Sequence, residues 1–119
     1  MNSSSSRTEQ TFQILTALVD GPLHGYGIIQ EVGRLSEGRT QLRVGTLYGA
    51  LDRLTAEGLL VLDHEETVSG RLRRYYRLTD AGAQVLSAEA ERITAQAAVA
   101  LTRLKARGVA RGAVAGGAV

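Results

Sequence analysis

The stretch from Gly45 to Leu78 constrains this chain most. It reads GTLYGALDRLTAEG, then the apolar run LLVL, then, beyond a short glycine-containing turn, the arginine-laden RLRRYYRL. Leu47, Ala50, Leu51 and Leu54 recur at i, i+3, i+4 and i+7, so a helix here carries them on one face, which must be buried. At ~100° per residue the opposite side presents Gly49, Asp52, Arg53 and Ala56, with Thr46 and Tyr48 near its flanks. That outward face is small and polar enough to lie against another surface. Gly58 is expected to end the helix, because glycine enters the left-handed conformation without strain.

Leu59 to Leu62 reads as a short strand buried against a core. Val68, Ser69 and Gly70 supply a reversal, with Gly70 as the positive-φ residue. On the return strand a period of two sets Arg74, Tyr76 and Leu78 on one face and Arg73, Tyr75 and Arg77 on the other, so Tyr76 and Leu78 can face inward. Between Val68 and Leu78 stand Arg71, Arg73, Arg74 and Arg77, with no acidic residue. A helix with a polar outer face, followed at once by a hairpin with a cationic tip, is the layout of a winged helix on DNA. The helix would enter the major groove and the hairpin would touch neighbouring phosphates. The competing reading of the arginines is a solvated strand face.

A chain of 119 residues suffices for one domain and not for two. Its formal net charge is only +2, so any affinity for nucleic acid must come from where the charges sit. Thirteen of the basic residues are arginine and one, Lys105, is lysine. Arginine suits bidentate phosphate and guanine contacts, although codon bias in a GC-rich genome would leave the same trace. With no cysteine there is neither a disulfide nor a thiolate site. His24 and His64 lack a second ligand at metal-like spacing and read as packing or surface residues. Neither a metal nor another cofactor is expected, and no cluster resembles an enzyme's nucleophile, base or metal set. No apolar run reaches the ~18 residues of a membrane span, and the polar start lacks the apolar region of a signal peptide, so a cytoplasmic protein is expected.

In chain order, residues 1–7 are serine-rich and without period, and a disordered arm is expected there. Residues 8–78 would form the winged-helix domain. Its first helix, Thr8 to Val19, carries Phe12, Leu15, Leu18 and Val19, with Ile14 and Ala17 beside them, on a face broad enough to serve a partner as well as the core. Asp20, Gly21 and Pro22 stop it. A second helix from Leu23 or His24 to Ser36 would bury Ile28, Ile29, Val32 and Leu35. Close packing would explain the two glycines of its opening HGYG, where Tyr26 reads as a core or interface aromatic. Thr40 to Leu42 is expected as a short third strand beside the hairpin.

Thr79 has the character of an N-cap, with Asp80 favourable to the dipole, for a last helix over residues 79–107, ~43 Å long, that Gly108 would end. Along it Leu86, Ala90, Ile93, Ala97, Ala100 and Leu104 alternate in spacings of four and three, the seam of a left-handed helix pair. Three of the six are alanine, so Phe12 and Leu15 of the first helix are expected to add to a dimer interface with a second copy. A helix folded back on its own domain is the alternative. Residues 108–119 are small and repetitive and are expected to be a disordered tail.

The chain resembles the PadR family of bacterial transcriptional regulators. GPLHGYGI (Gly21 to Ile28), GTLYGALDRLTAEGLL (Gly45 to Leu60), GRLRRYYRLTDAG (Gly70 to Gly82) and the long last helix carry the resemblance, which covers about Phe12 to Leu104. It implies an α+β, mainly α fold, a winged helix-turn-helix with a C-terminal dimerisation helix. It also implies a homodimer on a pseudo-palindromic operator, with repression usually relieved by a small-molecule effector or another signal. Gly45, Thr46, Leu47 and Tyr48 match the start of the family's recognition helix, and Arg73, Arg74 and Tyr75 its wing. Val44 and Gly49 stand where many members have proline. The chain has no tryptophan, which argues against a flat aromatic inducer stacked between subunits.

A DNA-binding repressor would use Arg71, Arg73, Arg74 and Tyr48 for phosphates, and Thr46, Gly49 and Arg53 for bases. Val44, Gly45 and Tyr75 complete the expected surface, and double-stranded DNA and a second copy are the expected partners. A winged-helix module that binds protein and not DNA is the alternative.

Overall fold

The computed structural model describes residues 3–108. The elements run α1 (Ser3–Ala17), β1 (Leu23–His24), α2 (Gly25–Leu35), α3 (Val44–Ala56), β2 (Leu60–Val68), β3 (Arg71–Leu78) and α4 (Asp80–Arg107). One compact unit reaches to Leu86, and a second begins at Ser87. The expected tail falls outside the described residues except for Gly108.

In the first unit, three helices and a three-stranded antiparallel sheet of order β1-β3-β2 enclose one core. Ile14, Leu15 and Leu18 meet Ile28 and Val32 of α2, Leu47, Leu51 and Leu54 of α3, Leu60 of β2 and Tyr76 of β3. The leucines of α3 are fully buried, as their spacing requires.

The end of α3 fixes the sheet's start. The N–H of Gly58, at φ 79°, bonds the carbonyl of Thr55, and the N–H of Leu59 reaches back to that of Leu54. This paired closure turns the chain from helix into β2 within two residues. The hairpin is tight: Val68 pairs with Arg71, and Ser69 and Gly70 both take positive φ, 53° and 77°. A two-residue loop with both φ positive follows the right-handed twist of the strands. β2 is longer than the apolar run implied, and Leu62 is exposed.

Three expectations need correction. The first helix begins at Ser3, so residues 3–7 are helical and not a disordered arm. Serine carries no apolar period, but once α1 is nucleated over the core each added residue extends it cheaply. The third strand is Leu23–His24, paired with Tyr76 and Tyr75, and not Thr40 to Leu42. A two-residue strand offers no alternation to detect. Thr40 is instead held by its N–H to Ser36 Oγ at 2.9 Å, which turns Leu42 into the core. The second helix accordingly starts at Gly25, and Leu35 at its end is exposed.

Two glycines mark close approaches. A Cβ on Gly25 would stand 2.5 Å from Tyr48 Oη, so the α2 glycine makes room for a tyrosine of α3. A Cβ on Gly82 would collide with the Leu59 carbonyl oxygen, a backbone atom that cannot step aside. Thr79 locks the same corner. Its hydroxyl accepts the N–H of Gly82 at 2.9 Å, as an N-cap does, and donates to the Gly58 carbonyl at 2.7 Å.

In the second unit α4 runs to Arg107, and Gly108 follows at φ 85°. Among the described residues no helix is long and apolar enough to cross a membrane.

Candidate nucleic-acid interface

The buried face of α3 dictates what its other side presents. Val44, Gly45, Thr46, Tyr48 and Gly49 are all exposed. Glycine inside a helix costs about 1 kcal/mol relative to alanine. Yet at Gly45 and Gly49 an added Cβ would meet no atom within 4 Å, and neither residue has positive φ. Among the described residues nothing requires glycine there. The bare stretch of helix is a property of the outer surface.

Arg53 departs from expectation. It is half-buried, and its Nη2 donates to Thr11 Oγ1 of α1 at 3.0 Å, while Nη1 stands 3.9 Å from Glu57. The guanidinium is held against α1. The partner lies 42 positions away in sequence, which periodicity on α3 cannot reveal.

The hairpin brings the wing arginines over the start of α2. Arg71, Arg73 and Arg74 line one cleft with Tyr48, His24 and Tyr26. Their charge is less concentrated than β3 alone implied. The ladder sets Glu65 opposite Arg74 and Glu66 opposite Arg73. Arg74 Nε lies 3.2 Å from Glu65, and Arg77 Nε 3.2 Å from Asp63. Arg71 and Arg73 make no ion pair among the described residues. Exposed pairs of this kind are worth ~1 kcal/mol or less, so a phosphate can displace them.

Tyr75 lies on the sheet face away from the core, in a cross-strand row with the chain's two histidines. The His64 ring stacks on it at 4.4 Å, and the His24 ring is tilted against it at 5.2 Å. A register shift between Leu62 and His64 re-aims this part of β2. The His64 ring nitrogens reach Asp63 and Glu66. The Asp63 hydrogen bond chiefly holds the His64 pKa above its ordinary value, against some loss of hydration. His24 shifts the other way, through burial first and the nearby charge of Arg73 second. Neither histidine was visible as a site residue in sequence, because the row exists only across three strands.

Of the residues assigned to a dimer interface, Leu15 is 1% exposed and belongs to the domain's own core. Leu86 also packs against that core, and Phe12 is half-buried. One face of α1 cannot serve both ends, and the core takes its centre. On α4 Ala90 is half-buried, Ala97 and Ala100 are exposed, and Ile93 and Leu104 are both 39% exposed.

Residues 14–88 match the sequence model of the Transcriptional regulator PadR-like family. The chain belongs to this family. The Mycobacterium tuberculosis protein described as transcriptional regulator Rv3488 is 40% identical over 81 residues, 68% of this chain and 72% of that one. A PadR family transcription regulator from Clostridium difficile has a similar structure, with TM-score 0.66 at 26% identity, covering 80% of this chain and 97% of that one. Bacillus subtilis PadR, solved in complex with operator DNA, matches with TM-score 0.58 at 27% identity, over 65% of this chain and 44% of that one. The fold is thus the mixed α/β winged helix of PadR regulators, with a three-stranded sheet and a long C-terminal helix.

Proposed function

We propose that this PadR-family regulator is a repressor that binds a pseudo-palindromic DNA operator as a homodimer and is released by a small-molecule effector or another signal. The observation that carries the DNA reading is that Arg71 and Arg73 of the wing, which make no ion pair among the described residues, share one cleft with Tyr48 of α3. The exposed N-terminal half of α3 then enters the major groove, whose width of ~12 Å admits one helix, while the wing sits on phosphates. The similar Bacillus subtilis PadR, solved with operator DNA, supports this reading.

Residues 8–78 act as the DNA-binding part and residues 79–107 as the dimerisation helix. The seam is shorter than the sequence suggests, since Leu86 packs on the domain; Ala90, Ile93, Ala97, Ala100 and Leu104 carry it. Two copies side by side would read two half-sites about one helical turn apart.

Fluorescence anisotropy with a labelled duplex at a series of salt concentrations tests the reading. Binding that weakens linearly on a logarithmic salt scale is expected. The alternative is a protein-binding module, favoured by the carboxylates that face the wing arginines across the ladder. It predicts no measurable DNA binding even at low salt.

A further inference from the structure

The face of α3 has two flanks, and the wing occupies only one. At ~100° per residue Tyr48 and Arg53 stand about 140° apart around the helix. Tyr48 lines the wing cleft. On the other flank Gly45, Thr46, Gly49 and Arg53 line a groove against α1, which contributes Arg7 and Gln10.

Three features of this groove point one way. It is lined by two arginines and no acidic side chain, the nearest carboxylate to Arg53 being that of Glu57 at 3.9 Å. Its floor is bare helix backbone at Gly45 and Gly49, where none of the described residues would meet a Cβ. Arg53 is fixed along the groove by its hydrogen bond to Thr11, so its guanidinium enters binding already ordered. A helix ~10–12 Å across that fills a major groove ~12 Å wide meets a wall of phosphates on each flank.

We propose that the groove between α1 and α3 receives the sugar-phosphate backbone of the DNA strand opposite the one held by the wing. Arg7 and Arg53 contact its phosphates, Gly45 and Gly49 let the strand approach the helix, and Thr11 is the positioning residue for Arg53. The proposal rests on the DNA reading above and assigns Arg53 to the backbone instead of to the bases.

The test is the salt dependence of binding of the full chain to a mixed-sequence DNA duplex. Arg7→Ala and Arg53→Ala should each lower the salt slope by about 1, as a lost phosphate contact does. Thr11→Val should weaken binding in the native background and have no further effect on top of Arg53→Ala, because the two act as a unit. Gly49→Leu should at least preserve the melting temperature, since leucine is the better helix former, yet weaken binding more than tenfold by blocking the groove. Unchanged slopes in Arg7→Ala and Arg53→Ala, beside a lowered slope in Arg73→Ala, would overturn the groove proposal and leave the DNA reading intact. Unchanged slopes in all three would remove both. Melting curves of each variant separate lost binding from lost folding, and Arg7, exposed at the surface, keeps the test independent of the more buried Arg53.

Discussion

His64 stacks on Tyr75 with ring centroids 4.4 Å apart and planes 9° from parallel, which joins β2 to β3 at the base of the wing. His24 meets the same tyrosine from β1, so one ring collects both histidines of the chain. The two imidazoles are pushed in opposite directions. His64 is raised by hydrogen bonding to Asp63 foremost, and His24 is lowered by burial foremost.

The signs of their pH effects follow. His64, raised in the fold, contributes stability that is fully present below its unfolded value of 6.5 and is lost as pH rises through the folded value. His24, lowered in the fold, favours the unfolded chain once pH falls below 6.5, because the unfolded imidazole then takes up the proton more readily. His64→Gln should therefore flatten the loss of melting temperature above that pH, and His24→Gln the loss below it. Titration of the imidazole resonances by NMR checks the order directly; His24 titrating above His64 would refute the arrangement.

Arg73 and Arg74 should behave differently although they are neighbours. Arg73→Ala removes a cation that makes no ion pair among the described residues and should lower the salt slope of DNA binding by about 1 without changing stability. Arg74→Ala should lower the slope similarly but also cost up to ~1 kcal/mol of stability, because Glu65 loses its partner. Parallel anisotropy and urea denaturation would decide. Equal stability for both variants would mean that the Arg74–Glu65 pair contributes nothing.

Gly82→Ala should be far more damaging than Gly25→Ala. At Gly82 the new methyl meets the Leu59 carbonyl oxygen, so α4 must move from the start of the sheet at a cost on the order of 3 kcal/mol. At Gly25 it meets the hydroxyl end of Tyr48, a side chain that is partly exposed and free to swing. Tyr48→Phe should restore part of the stability lost in Gly25→Ala, measured as the urea midpoint. No rescue would place the strain elsewhere on α2.

Ile93→Glu together with Leu104→Glu should convert the proposed dimer into a monomer in light scattering. Both residues are 39% exposed on α4, on the seam left free beyond Leu86. Adding carboxylates to an apolar helix pair leaves charges without partners. A mass unchanged by the double substitution would mean that subunits meet through another face.

What the sequence determined by itself is local. The spacing of Leu47, Leu51 and Leu54 defined the buried face of α3, and positive φ at Gly58 and Gly70 followed from the residue type. Thr79 declared the start of α4 within one turn, because a cap bonds groups three residues apart. Alternation in β3 sent Tyr76 inward. Each signal repeats or closes within a few residues, so a single stretch of chain contains it.

Only the tertiary structure decided what depends on partners far along the chain. β1 is a strand because β3 lies beside it, not because two residues have a pattern. The carboxylates of β2 temper the wing arginines through the ladder register, which one strand's composition does not contain. Leu15 belongs to the core and not to a second subunit because the domain's own helices take that face first. Arg53 is drawn to Thr11, and a residue that faces outward on its own helix becomes the wall of a groove once α1 packs beside it. Periodicity fixes which side of an element faces in; what meets the other side is set by how the elements pack.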